Sequence, residues 1–247
     1  MRLSDLLDFL YPESCGWCRE RLEGKRHGVF CRVCWGTLKP LTPPWCTVCG
    51  IPYDGLREGE TCGACLGRAR PGVARPPVEA WRCGASYEGV MREAIHAFKY
   101  HRRRRTGQAL REWFERQLAA EAFHQAFEDV DLVMPVPLHR DRVRERGFNH
   151  AKSFARLAAR WLRKPVWEGL VRTALTLPQS QLTRAERFVN VRKAFIVTPR
   201  KSREIHGKAV LVVDDIVTTG ATAEACARAL KMAGAKSVKV LALARSL

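Results

Sequence analysis

The chain has 247 residues, 46% of them hydrophobic, enough for one substantial core and a small second module, and no uninterrupted apolar run reaches membrane-spanning length. A membrane span is therefore excluded and a cytoplasmic protein expected. Against 25 Asp and Glu stand 43 Lys and Arg, a formal charge of +18, which favours polyanionic partners such as phosphorylated metabolites or nucleic acid; a coding bias towards Arg would give the same surplus with no partner.

The opening "MRLSDLLDFLYPESC" has the outline of an export signal, but Asp5 and Asp8 interrupt its apolar run and no small-residue cleavage site follows. Leu3, Leu6, Leu7 and Leu10 share one helical face, so a short docked amphipathic helix is expected instead. Eight of the ten cysteines then fall in four CxxC pairs, Cys15/Cys18, Cys31/Cys34, Cys46/Cys49 and Cys62/Cys65, and the second two pairs repeat the first two after 31 residues. Two thiolates three residues apart on a tight turn can face one ion, and two such turns complete a closed tetrahedral shell, the form of a structural zinc site. In a cytoplasmic setting clustered thiols favour metal over disulfides. The repeat favours sequential pairing, the first four cysteines on one Zn²⁺ and the last four on another; interleaved sets, and iron in place of zinc, also satisfy the spacing. Gly16, Gly50 and Gly63 are expected to supply the positive φ that such knuckles need. Residues 1–70 are accordingly read as a double zinc ribbon with a short N-terminal helix, its halves too small to fold without metal.

Pro and Gly crowd "GRARPGVARPPVEA", and residues 71–80 are read as a linker to a second domain, 81–247. There the periodicity alternates. A strand pattern runs to Tyr87, followed by a helix through Met91, Ile95 and Phe98 and another from Gln108 towards Phe127. Next come the buried strand "DLVMPVP", the helix "NHAKSFARLAARWL", a strand near Val166, a strand over 210–213, a helix, and the last strand "VKVLALA". Cys83 and Cys226 fall on the buried faces of these elements and read as small hydrophobes. Alternating β and α implies an α/β fold, a parallel sheet with helices on both faces, whose ligands sit beyond the carboxyl ends of the strands, here after Val213 and Pro137.

After Val213 the chain presents Asp214 and Asp215, then the turn Val217, Thr218, Thr219, Gly220, Ala221 and Thr222 into a helix. Amides at a helix start, three threonine hydroxyls and a glycine that lets backbone approach suit a phosphate monoester, while adjacent carboxylates suit a vicinal diol. Ribose 5-phosphate carries both groups. An acid pair after a hydrophobic strand is also the form of a Walker B element, but no GxxxxGK[ST] accompanies it. After Pro137, Arg140, Arg142, Arg144 and Arg146 precede Gly147 and a helix start, a place for pyrophosphate, with a solvated basic loop as the plain alternative.

"VLVVDDIVTTGAT" resembles the signature of type I phosphoribosyltransferases, which bind 5-phosphoribosyl 1-pyrophosphate (PRPP). With "FKY" at 98–100, "PVPLH", "RGFN" and the paired CxxC ribbons, the chain resembles the ComF family over nearly its whole length. The resemblance implies a type I phosphoribosyltransferase fold with a hood, placed at "VRTALTLPQSQLTRAERFVNVRKAF", where Gln181, Leu182, Arg187 and Asn190 match the family pattern. It also implies PRPP with Mg²⁺, a nucleophile displacing pyrophosphate at C1′, Asp214 and Asp215 orienting the ribose, and Arg144 or Arg146 on the leaving group. Arg187, Arg184 or Lys193 would come from the hood. Two features depart from the pattern: His150 replaces a common Gln, and "HRRRR" at 101–105 follows "FKY". His139 and His150 are candidate acids or hydrogen-bonded bystanders. The family further implies natural competence, with incoming single-stranded DNA and competence-machinery proteins as partners. A non-catalytic single-stranded DNA-binding protein is the competing reading, its ribbons and basic surface holding the strand while Trp17, Trp35 and Trp45 either stack bases or pack against the metal loops.

Overall fold

The computed structural model describes residues 13–22, 26–68, 76–100, 104–173 and 194–247. The expected N-terminal helix, residues 71–75 of the linker, the first three residues of the 101–105 run and the hood positions Gln181, Leu182, Arg184, Arg187, Asn190 and Lys193 lie outside the described residues.

The 31-residue repeat is visible in the backbone. Cys15 N–H donates to the Glu20 carbonyl and Cys46 N–H to the Ile51 carbonyl, closing equivalent knuckles. The first ribbon continues through the antiparallel pair β1 (Arg26–His27) and β2 (Phe30–Cys31) into helix α1 (Arg32–Gly36), and the second ends in α2 (Gly63–Arg68). Positive φ falls one residue beyond the first CxxC of each ribbon, at Arg19 (68°) and Gly50 (67°), and at neither Gly16 nor Gly63. The turn that returns the chain after the second thiol bears the left-handed residue, so two of the three glycine expectations are corrected.

Four parallel strands form the sheet, in the order β3 (Ala80–Ser86), β8 (Ser237–Arg245), β7 (Ala209–Val217), β4 (Leu132–Pro135). The unbroken apolar run of β7 follows from burial on both sides. Leu211 and Val213 join a core with α3 (Gly89–Tyr100), α4 (Arg104–Leu118), α5 (Glu121–Phe127) and α7 (His150–Leu162). Val210 and Val212 face α9 (Ala221–Met232) with Trp167, Leu170, Phe195 and Ile205. Cys83 and Cys226 are fully buried here, as expected. The helix foreseen from Gln108 to Phe127 is two helices broken at Ala119–Ala120, and the strand near Val166 is a single bridge to Val133. The arginine row forms its own helix, α6 (Arg140–Arg146), capped by the His139 side chain and ended by Gly147; it is not a loop. Two short strands escaped the sequence: β5 (Leu170–Arg172) and β6 (Phe195–Val197) pair antiparallel. The short helix α8 (Ser202–Ile205) leads into β7. Among the described residues no helix is long and apolar enough to cross a membrane.

The ribbons belong to this core. Phe30, Trp35, Leu38 and Trp45 are buried in one cluster with Met91, Phe98 and Phe114. Ribbon backbone also covers the free edge of β3: Leu41 N–H donates to Gly84, Ser86 N–H to Lys39, and Trp81 N–H to Val48, at 2.8 to 3.0 Å. Each such bond contributes about 1 kcal/mol net and removes an unpaired edge group. The approach is closest at Gly50, where an added Cβ would fall 2.1 Å from the Trp81 carbonyl oxygen. Gly50→Ala therefore combines left-handed strain with a backbone clash and is expected to lower unfolding free energy by at least about 2 kcal/mol, read from urea denaturation.

Candidate functional site

Strand β7 runs through the acid pair and on to Val217, so both carboxylates rise from the strand end itself. They open on a cleft of about 190 Å³ lined by Lys99, Asp214, Asp215 and the turn from Ile216 to Ala223. Gly220, at φ 80°, turns the chain into α9 and leaves the helix N-terminus without a side-chain cap, while Thr219 Oγ1 accepts from Ala221 N–H at 3.4 Å. Val217, Thr218, Thr219, Gly220, Ala221 and Thr222 thus share one wall with the acid pair, at the carboxyl edge of the sheet.

Lys99 is the residue that sequence reasoning missed. It projects from the end of α3, and its Nζ lies 2.7 Å from Asp215 Oδ1, both side chains largely buried. "FKY" was visible as a segment, but nothing local marks its lysine as the partner of an acid 116 residues away. Asp214 accepts from the Asp215 N–H at 2.8 Å. Burial first, and the Asp215 charge second, push its carboxyl up to about 7, against the pull of Lys99 and Arg172.

The structure puts the arginines elsewhere. Arg144 is 80% exposed and reaches Asp141 at 3.7 Å, and neither it nor Arg146 lines the cleft. Arg146 donates to the Tyr100 hydroxyl at 3.1 Å and lies over that ring, one residue from Lys99. Arg172, on β5, is within electrostatic reach of Asp214 and stacks on Phe195. Neither candidate histidine lines the cleft. His139 caps α6, and buried His150 donates from Nε2 to the Phe98 carbonyl at 3.1 Å, its pKa lowered chiefly by burial.

The thiols settle into two sets. Within Cys15, Cys18, Cys31 and Cys34, and within Cys46, Cys49, Cys62 and Cys65, all Sγ atoms lie within 4.8 Å of one another. Pairing is therefore sequential, and the interleaved alternative falls. Cys31 N–H donates to Cys15 Sγ and Cys62 N–H to Cys46 Sγ, at 3.4 and 3.3 Å. Burial works to raise the Cys15 and Cys46 thiols, but backbone N–H donors outweigh it and bring both down to about 6, whereas burial and the neighbouring sulfurs raise Cys34 and Cys65. Two closed four-thiolate shells fit Zn²⁺.

The double zinc ribbon family model matches residues 6–66, and the phosphoribosyltransferase domain model matches residues 158–246. The DNA utilization protein YhgH of Escherichia coli K12 is 32% identical over 70% of this chain and 74% of its own length. This chain belongs to the ComF family. Competence protein F of Haemophilus influenzae is 31% identical over 54% of this chain and 62% of its own. Competence protein ComFC of Bacillus subtilis is 30% identical over 65% of this chain and 62% of its own. This ComF protein thus joins a double zinc ribbon to a phosphoribosyltransferase domain with a parallel sheet, as the sequence implied.

Asp214 yields a signed pH effect. Its carboxyl titrates near 7 in the folded chain and near 4 unfolded, so raising the pH through that interval strips the unfolded state first and lowers stability; below about 4 and above about 7 its contribution is flat. Asp214→Asn is expected to gain stability relative to the parent across that window, by on the order of 1 kcal/mol at pH 8, while the difference shrinks at pH 4. Urea midpoints of the two proteins at both pH values provide the check.

Proposed function

We propose that the cleft binds PRPP and transfers its phosphoribosyl group to a nucleophile with release of pyrophosphate. The observation that carries this is the convergence of the Asp214/Asp215 pair, Lys99 and the turn 217–222 on one cleft. The turn takes the 5-phosphate at the uncapped start of α9, where the helix dipole and amides favour an anion. Asp214 and Asp215 accept from the two ribose hydroxyls. Lys99 balances one of the two negative charges that would otherwise repel the substrate. Mg²⁺ brought in with PRPP would sit near the Asp214 and Asp215 carboxylates and would offset the charge of the departing pyrophosphate. Displacement at C1′ needs no protein nucleophile, so catalysis rests on positioning and electrostatics. Arg146, fixed against Tyr100 beside Lys99, is better placed for the pyrophosphate than Arg144; Arg187, outside the described residues, is assigned to the same substrate on the family resemblance alone.

Calorimetry with PRPP and Mg²⁺ tests this. Asp215→Asn leaves Lys99 without its charged partner and replaces one accepting oxygen by an N–H donor, and is expected to weaken PRPP binding roughly 10- to 100-fold. Unchanged affinity overturns the assignment.

The names of the relatives support a setting in DNA utilization and competence, and single-stranded DNA and competence-machinery proteins are the partners proposed for it. Base stacking at the ribbons is limited, because Trp35 and Trp45 are buried, Trp45 edge-on to Phe123, and Trp17 alone of the three is exposed, at 47%. The +18 charge then makes phosphate contacts the main attraction. The logarithm of single-stranded DNA affinity is expected to fall linearly with that of salt concentration, and Asp215→Asn to leave it unchanged; fluorescence anisotropy across a salt series measures both.

A further inference from the structure

The second ribbon meets the sheet directly behind the phosphate-binding turn, and one residue touches both, with its backbone on the ribbon side and its ring on the turn side. Trp81, the second residue of β3, donates its N–H to the Val48 carbonyl at 2.8 Å, and its own carbonyl faces Gly50. The neighbouring Arg82 sends Nη1 to the carbonyls of Trp81, Thr47 and Cys46, at 2.7, 3.0 and 3.5 Å. From the end of β8, Arg245 donates to the Cys49 carbonyl at 2.5 Å and lays its guanidinium over the Trp81 ring, 5.7 Å from the centroid. The knuckle of the second cluster, residues 46–50, is thereby fastened to β3 and β8 through its own carbonyls.

On its other side the Trp81 ring closes on the turn. A Cβ on Gly220 would sit 3.0 Å from ring carbon Cη2. Ser246 N–H, next in sequence to Arg245, donates to the Val217 carbonyl at 2.9 Å, the first residue of the same turn. Gly220 has no side chain to restrict its backbone, so its left-handed geometry depends on what packs against it. The packing partner is the ring of a residue whose backbone N–H bonds the knuckle and whose stacked Arg245 bonds it too.

We infer that the second four-cysteine cluster holds the turn 217–222 in its binding shape through Trp81. Trp81 is thus a positioning residue, and metal in that cluster raises affinity in a cleft it does not line. The inference rests on the reading of that turn as the phosphate site. Its physical content is preorganisation: a turn already shaped for an anion does not spend binding energy on ordering itself. The first cluster packs elsewhere, with Gly28 against Thr106 of α4, and provides the contrast.

Hydrogen exchange read by mass spectrometry on the full-length, zinc-loaded chain reports the turn without any ligand, and calorimetry with PRPP reports its use. Trp81→Leu and Cys49→Ser are each expected to speed exchange over residues 214–222 roughly tenfold and to weaken PRPP by a similar factor. Trp81→Phe, whose shorter ring falls short of the indole carbons that face Gly220, is expected to recover only a small part of either. Cys18→Ser, in the first cluster, is expected to leave both within about twofold of the parent. Zinc analysis accompanies each variant, and Trp81→Leu is expected to retain the parent zinc content. Should Cys49→Ser fail to fold, the Leu and Phe variants at Trp81 decide alone. Unchanged exchange in Trp81→Leu overturns the inference. Altered exchange in a chain whose parent binds no PRPP sustains the coupling and overturns the functional reading instead.

Discussion

Two carboxylates side by side in a half-dry cleft repel each other and any anion brought near them, and here a lysine from another element offsets that repulsion. The Lys99–Asp215 contact joins α3 to β7 across 116 residues. The position of Lys99 is itself a packing outcome. Phe98, the preceding residue, lies edge-on to Phe154 and His150, presses on Gly107 so closely that a methyl there would meet its ring at 2.3 Å, and has its carbonyl bonded by His150. Tyr100, the following residue, carries Arg146. Core packing at 98 therefore decides where the charges at 99 and 146 stand, and a pair this deeply desolvated works only with such fixed geometry.

The ribbons answer a different problem. A parallel sheet with an uncovered edge strand offers its backbone to any passing chain, and β3 is such a strand. Residues 39–41 and 48 satisfy it from one side, and Trp167 and Pro165 bond Val133 at the opposite edge. The same ribbons bury Trp35 and Trp45 against the helices of the larger domain. Metal binding, which small ribbons need for folding, is thus spent on completing a neighbouring sheet as well as on the ribbons themselves.

How much of this could be read from residues alone follows from the range of each signal. The continuous apolar stretch before Asp214 announces a strand buried on two faces, and the thiol spacing announces two closed shells; both are local patterns. Lys99 was invisible because an ion pair between distant elements leaves no periodicity. Helix α6 escaped because it buries none of its residues, and so lacks an apolar stripe. The break at Ala119–Ala120 has no Gly or Pro to mark it, and Ala120 supplies no cap bond. The left-handed residue of the first knuckle is Arg19, which no residue-type rule would choose; its counterpart is Gly50 because a neighbouring carbonyl leaves room for nothing larger.

Strands β5 and β6 bring both ends of the intervening segment to one point: Thr173 N–H meets the Ala194 carbonyl at 2.9 Å. A stretch that enters and leaves a scaffold through a single closed neck is thermodynamically insulated from it, since doubling the length between fixed ends adds only about 0.6 kcal/mol of closure entropy. The length of chain between 174 and 193 can therefore change at little cost in closure entropy, since Thr173 and Ala194 stay joined whatever lies between them.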